Sequence, residues 1–202
     1  MTWVLFDYGG VICHPQSEED VALLARAAGC SVAEFEAAYW PSRLDYDRAD
    51  LDVTTYWQRL ASGLGRSYTD AQVTELSRLD TASWLNLQEA TVDLIVGLAA
   101  AGHRLALLSN APVDVAEAVR GLPVAAYFEH LVFSCYLKTA KPDPECFRAM
   151  LAVLGAEPGE VVFLDDRADN VVGGNRMGIP SVQFTGADAA RADLARYGIA
   201  AA

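Results

Sequence analysis

Asp7 closes the apolar run Trp3-Val4-Leu5-Phe6 and is followed at once by Tyr8-Gly9-Gly10-Val11. A buried strand that ends in a single carboxylate delivers that group to a sheet edge. Paired glycines then let the backbone turn sharply and approach a ligand closely. A carboxylate so placed can serve as a metal ligand or as a nucleophile. Three further apolar runs end in reactive groups. Arg104 to Leu108 ends in Ser109-Asn110, Leu131-Val132-Phe133 ends in Ser134 and is soon followed by Lys141-Pro142-Asp143-Pro144, and Val161 to Leu164 ends in Asp165-Asp166. A carboxylate, a hydroxyl with an amide, an amine and a carboxylate pair suit a phosphoryl group held beside a divalent cation. Hard Mg²⁺ takes oxygen ligands and keeps several waters. Ser109, with the backbone N–H groups that open the next helix, can donate to phosphoryl oxygens. Lys141 supplies a point cation. The adjacent Asp165 and Asp166 repel each other, which a cation relieves.

These stretches, with Asn170 downstream of the carboxylate pair, occur in one order along nearly the whole chain. In that order they resemble the haloacid dehalogenase-like (HAD) hydrolase superfamily. The resemblance implies a Rossmann-like core and an Mg²⁺-dependent reaction through an aspartyl intermediate. It makes Asp7 the nucleophile and a metal ligand, places Ser109, Asn110 and Lys141 around the phosphoryl group, and gives Asp165, Asp166 and the Gly9 carbonyl to the metal. Asn170, His14 and Arg43 are secondary candidates: Asn170 at the first turn of the last core helix, His14 where the chain leaves the core, and Arg43 at the mouth of the inserted segment.

One position departs from the superfamily's phosphatases. They usually carry a second Asp two residues after the nucleophile, which protonates the leaving group, and this chain has Gly9 there. General acid–base help is worth roughly 10²- to 10⁴-fold. The departure leaves three readings: an Mg²⁺-dependent phosphatase of a small phosphorylated metabolite, a dehalogenase-like hydrolase of the same fold, or a weakly catalytic protein that binds phosphate and metal. The dehalogenase branch has Tyr at the position of Gly9. Tyr8 is one residue early, and strand alternation turns it to the other side. His14 is the candidate for a substitute acid.

The elements that must position these groups are legible in outline. Apolar strands alternate with helical stretches: Glu89 to Ala101, Val113 to Val119, Glu145 to Leu154 and Ala168 to Met177, with a last strand at Ser181 to Phe184. That alternation predicts an α/β fold, a Rossmann-like doubly wound parallel sheet. Between the first strand and the rest, four helical segments are expected, at Glu18 to Ala28, Ala33 to Tyr39, Thr54 to Leu64 and Thr69 to Asp80. The pair Ser31 and Glu34 has the spacing of a capping box. The expected division is a core of residues 1–14 and 89–202 and a helical-bundle cap of residues 15–88. Cap aromatics such as Tyr39, Trp40, Tyr46, Tyr56 and Trp57 are expected mainly in the bundle core.

Composition bounds the function. Of 202 residues, 52% are hydrophobic and the formal net charge is −12, which disfavours nucleic acid and anionic membranes as partners. No apolar run approaches the roughly 18 residues of a membrane span, and no secretory signal is evident, so a cytoplasmic location is expected. Cys13, Cys30, Cys135 and Cys146 form no C-x-x-C pair and are expected as reduced thiols.

Overall fold

The computed structural model describes residues 2–202. Strand β1 (Trp3–Phe6) is buried along its whole length. The chain then leaves the sheet and forms five helices, α1 (Glu18–Ala28), α2 (Val32–Tyr39), α3 (Arg43–Asp47), α4 (Val53–Gly63) and α5 (Asp70–Ser83). It returns through α6 (Glu89–Ala100), β2 (Arg104–Ser109), α7 (Val113–Arg120), β3 (His130–Phe133), α8 (Ser134–Leu137), α9 (Pro144–Leu154), β4 (Val161–Asp165), α10 (Ala168–Arg176), β5 (Ser181–Gln183) and α11 (Ala187–Ala195).

The strands form one sheet of order β3-β2-β1-β4-β5, and every pairing is parallel. Strand β1 is central, between β2 and β4. The connections reverse direction between β1 and β4. In open α/β sheets such a switch opens a crevice at the carboxyl ends of the strands. Asp7 and Asp165-Asp166 end the two strands that border it. One face of the sheet packs Val4, Phe6, Leu105, Leu107, Val162 and Leu164 against α6, α7 and α11. The other packs Trp3, Leu5, Ala106, Leu108 and Phe163 against Phe147 and Met150 of α9. Alternation along continuous apolar strands supplies both faces, as expected of a sheet covered on both sides.

The segment between β1 and β2 has an apolar cluster of its own, in which Leu24, Phe35, Tyr39, Tyr56, Trp57, Leu60 and Leu76 are buried together. Its helix starts are written locally. Ser17, Ser31 and Thr69 each accept from the backbone N–H three residues on, in reciprocal capping boxes with Asp20, Glu34 and Gln72. The fourth helix begins from Asp52, not from Thr54 as the sequence suggests. The expectation of four helices is corrected to five. Helix α3 has only five residues and no side-chain cap, so neither periodicity nor a capping signal announces it. It is held by the i,i+4 pair Arg43–Asp47 at 2.8 Å. Ser134, expected to end the third strand, instead opens α8.

Two short linkers connect this helical segment to the sheet and run against each other. His14 N donates to Asn86 O at 2.8 Å, and Gln88 N donates to Ile12 O at 2.8 Å. All four cysteines are free. Among the described residues, no helix is long and apolar enough to cross a membrane.

Candidate active site

Strand β1 brings Asp7 to the crevice, and the Asp7 N–H extends the ladder to Leu164 O at 2.9 Å. The chain then turns tightly, with Tyr8 O accepting from the N–H groups of Val11, Ile12 and Cys13. Gly10 adopts φ +74, and a Cβ there would lie 2.4 Å from Asp166 Oδ2. Only glycine allows both the conformation and the approach of a carboxylate to this turn.

Lys141 is 2% exposed. Its Nζ lies 2.7 Å from Asp7 Oδ1 and 2.7 Å from Asp165 Oδ2. The loop that delivers it is braced on both sides. Asn110 Nδ2 donates to Lys141 O at 2.8 Å, and Lys141 N donates to Asn110 Oδ1 at 2.9 Å. Behind it, a Cβ on Gly173 would come within 2.9 Å of Pro142 Cβ, so this glycine lets α10 pack onto the lysine loop. Asp165 is fully buried. It accepts from Lys141, from Asn170 Nδ2 at 3.0 Å to each oxygen, and from Arg167 N at 2.9 Å. Asp166, the next residue, is only half-buried and lines the cleft.

The electrostatics follow from this crowding. Burial pushes the Asp7 carboxyl up to about 7; Lys141 pulls it down and Asp165 pushes it up again. Burial also raises Asp166, with Asp165 adding to the shift. Burial opposes the charge on Lys141, but Asp7 and Asp165 outweigh it and hold the ammonium above its ordinary range. Asp7, Asp165 and Asp166 can bring one oxygen each within 4.8 Å of one another. Three carboxylates therefore face one ammonium, a deficit of positive charge that suits a divalent cation. Hard oxygen donors are the ligands Mg²⁺ prefers. Asn170 Oδ1 is buried without a hydrogen-bond partner among the described residues, an acceptor that a water on a hydrated cation would satisfy. The residues present fit Mg²⁺.

The cleft above these groups has a volume of about 480 Å³. Its floor is Asp7, Gly9, Gly10, Ser109, Asn110, Lys141, Asp166 and Asn170, and its upper wall includes Pro15, Trp40, Arg43, Leu44, Asp47 and Trp84. Ser109 ends β2 and is buried at the cleft floor. Of the cap aromatics, Tyr39, Tyr46, Tyr56 and Trp57 are buried in the bundle, whereas Trp40 is 54% exposed and lines the cleft. His14 is exposed on the linker and is not among the cleft-lining residues. The Asn110 side chain is engaged with the Lys141 backbone, so what it offers a ligand is its main chain. Trp84, Leu44 and Asp47 carry no signal in the sequence. They reach the cleft only through the way the helical segment folds back.

Arg43 lines the cleft but is also tied into the bundle. Its Nε donates to Asp47 Oδ1 at 2.8 Å and its Nη1 to Asp80 Oδ2 at 2.9 Å; Nη1 also meets the Tyr39 hydroxyl. Removing one side of a buried ion pair costs about 3–5 kcal/mol. In a chain of this size each kcal/mol shifts Tm by roughly 2–4 °C. Arg43→Met is therefore expected to lower Tm by about 6–20 °C, read by thermal melting. An unchanged Tm would mean that the network does not hold the bundle together.

Comparison with known proteins agrees with this geometry. The family model for haloacid dehalogenase-like hydrolases matches residues 1–178. The chain is 29% identical over 200 residues to the phosphoglycolate phosphatase of Rhodospirillum rubrum, covering 89% of this chain and 77% of that one. It is 32% identical over 107 residues to flavin mononucleotide hydrolase 1 of Arabidopsis thaliana, covering 53% of this chain and less than half, 44%, of that protein. Among solved structures, a HAD family enzyme of Bacteroides thetaiotaomicron, wild-type bt-2542 in complex with magnesium and inorganic phosphate, superimposes with a TM-score of 0.73 at 22% identity, covering 92% of this chain and 95% of that one.

Proposed function

The chain belongs to the haloacid dehalogenase-like hydrolases, and we propose that within them it is an Mg²⁺-dependent phosphatase of small phosphate monoesters. The observation that carries this reading is the Lys141 ammonium at 2.7 Å from both Asp7 and Asp165, with Asp166 beside them at the cleft floor. The phosphatase names among its relatives and the magnesium and phosphate bound by bt-2542 support it.

Asp7, Asp166 and the Gly9 carbonyl would hold the metal, with Asp165 behind them. When bound, Mg²⁺ neutralises charge on the phosphoryl oxygens. The chain's own residues do the rest. An Asp7 oxygen attacks phosphorus, and the P–O bond to the leaving group breaks as the new one forms. The leaving oxygen departs toward the upper wall. Lys141, Ser109 and the main chain at Asn110 hold the transferred group through the transition state, where preorganised donors contribute most. Water then cleaves the acyl phosphate, returning Asp7 and releasing inorganic phosphate. Splitting hydrolysis into two displacements is what a carboxylate nucleophile contributes.

The test is phosphate release from a panel of sugar, nucleotide, acid and aryl phosphates, in Mg²⁺ and in EDTA. At least one ester is expected to turn over, and only with the cation. Release that is insensitive to EDTA would remove the metal from the reading, and no release from any ester would remove the phosphatase. Gly9, which offers no acid, is the observation that favours a phosphate- and metal-binding protein in that event.

A further inference from the structure

An indole stands beside the place of the missing acid. A Cβ built on Gly9 would lie 3.5 Å from Trp84 Cζ3 and 3.9 Å from Cε3. The first atom of any side chain at position 9 thus already touches the indole ring. Trp84 stands just beyond α5, on the linker that returns to the sheet, and lines the cleft together with Gly9. It is anchored from below by the nucleophile's own neighbour: Tyr8 is 2% exposed, and its hydroxyl donates to Trp84 O at 2.7 Å. Trp84 packs against the apolar cluster that includes Tyr8, Val11 and Ile12 of the turn after β1. The guanidinium of Arg43 lies 5.9 Å from its centroid. Trp84 Nε1 is buried without a partner among the described residues, so what the indole itself presents beside Gly9 is ring carbon.

We propose that Trp84 is the leaving-group residue of this enzyme: it stands beside the place of the acid, offers the departing oxygen an aromatic face, and selects phosphate esters whose leaving group is a flat, weakly basic aryl or enol oxygen. This rests on the phosphatase reading above. A weakly basic oxygen departs as a stable anion and does not require protonation in the transition state. A flat apolar body on that oxygen finds Trp84, Trp40, Leu44 and Pro15 lining the same wall. A sugar or alkyl alkoxide meets the same wall, whose polar groups Arg43 and Asp47 are tied to each other at 2.8 Å. A carboxylate at position 9 would extend beside the indole at position 84, so restoring the first is expected to act most fully when the second is made smaller.

The experiment compares wild type, Gly9→Asp, Trp84→Leu and the double variant. The substrates are 4-nitrophenyl, phenyl and ethyl phosphate in saturating Mg²⁺, and the readout is kcat and KM against leaving-group pKa. Wild type is expected to fall steeply with leaving-group basicity in kcat/KM, which reports the displacement that expels the leaving group. Gly9→Asp alone is expected to gain less than about 10-fold on ethyl phosphate, whereas the double variant gains about 10²-fold or more and flattens the slope, on the scale of general acid catalysis. Trp84→Leu alone is expected to raise KM for the aryl esters while keeping the steep slope. Should Trp84→Leu fail to fold, Trp84→Phe, which keeps a smaller ring, is expected to show the same aryl KM change in weaker form. A full gain from Gly9→Asp alone, or an unchanged aryl KM in the position 84 variant, overturns the proposal while the phosphatase reading stands. Absence of phosphate release in wild type overturns both.

Discussion

Asp7→Asn is expected to lower phosphate release by about 10⁶-fold, the scale on which loss of a covalent nucleophile acts, and to leave the fold at least as stable. The substitution keeps the shape and removes one of three crowded carboxylates. Burial drives Asp7 up to about 7 from an ordinary value of 3.8, so the folded chain holds this proton more tightly than the unfolded chain does. The sign follows from linkage: in metal-free protein the group favours folding below the unfolded pKa, and that contribution is lost as pH rises through about 7. Asparagine does not titrate. With EDTA present, the Tm of wild type is therefore expected to fall more between about pH 5 and about pH 8 than that of the variant. Equal slopes would mean that Asp7 is not the group under electrostatic stress, and retained turnover would remove it as the nucleophile.

Asp7, Asp165 and Asp166 were legible in the sequence for a reason that the structure makes physical. Strands β1 and β4 are buried along their length, so their apolar runs are continuous and the first charge after each marks a strand end. Parallel pairing of β1 with β4 then places the two ends side by side. Lys141 was legible through Pro142 and Pro144, although its burial between two carboxylates was not. Asn170 was visible as a residue of a helix's first turn. What no local pattern carried is the helical segment's view of the site. Arg43 meets Asp80 across 37 positions. Helix α3, which carries Arg43 and Asp47, is too short to show a period. Trp84 reads as an ordinary apolar residue near a helix end, and it comes to stand beside Gly9 where the two linkers pair at Cys13 and Leu87. Tyr8 gave no sign of being a strut for Trp84, since its bond spans 76 positions. Residues set by strand ends could be read, whereas those set by tertiary return could not.

Lys141→Met is expected to damage stability and turnover together, and the two losses are separable. In wild type the ammonium is the cation that Asp7 and Asp165 share at 2.7 Å each, in a place that is 2% exposed. Methionine fills much of the same volume without the charge, leaving three carboxylates that can approach within 4.8 Å and no ammonium between them. Breaking a buried pair in this way costs about 3–5 kcal/mol, a fall in Tm of roughly 6–20 °C at this chain length. Losing one preorganised electrostatic donor costs a further factor of about 10²–10³ in kcat. On the proposed reading saturating Mg²⁺ would bind the folded carboxylate cluster and not the unfolded chain, so by mass action it is expected to return much of the lost stability. It would not return the proposed donor to the phosphoryl group, so turnover is expected to stay low in the restabilised variant. Lys141→Arg separates charge from shape: it keeps a cation, but a planar guanidinium on a longer stem does not superpose on a compact ammonium. Its Tm is expected to fall between those of wild type and Lys141→Met, with kcat close to that of the methionine variant. A methionine variant that turns over at the wild-type rate once Mg²⁺ has restored its Tm would show that Lys141 serves the fold alone, and that the phosphoryl group is held by Ser109 and the main chain.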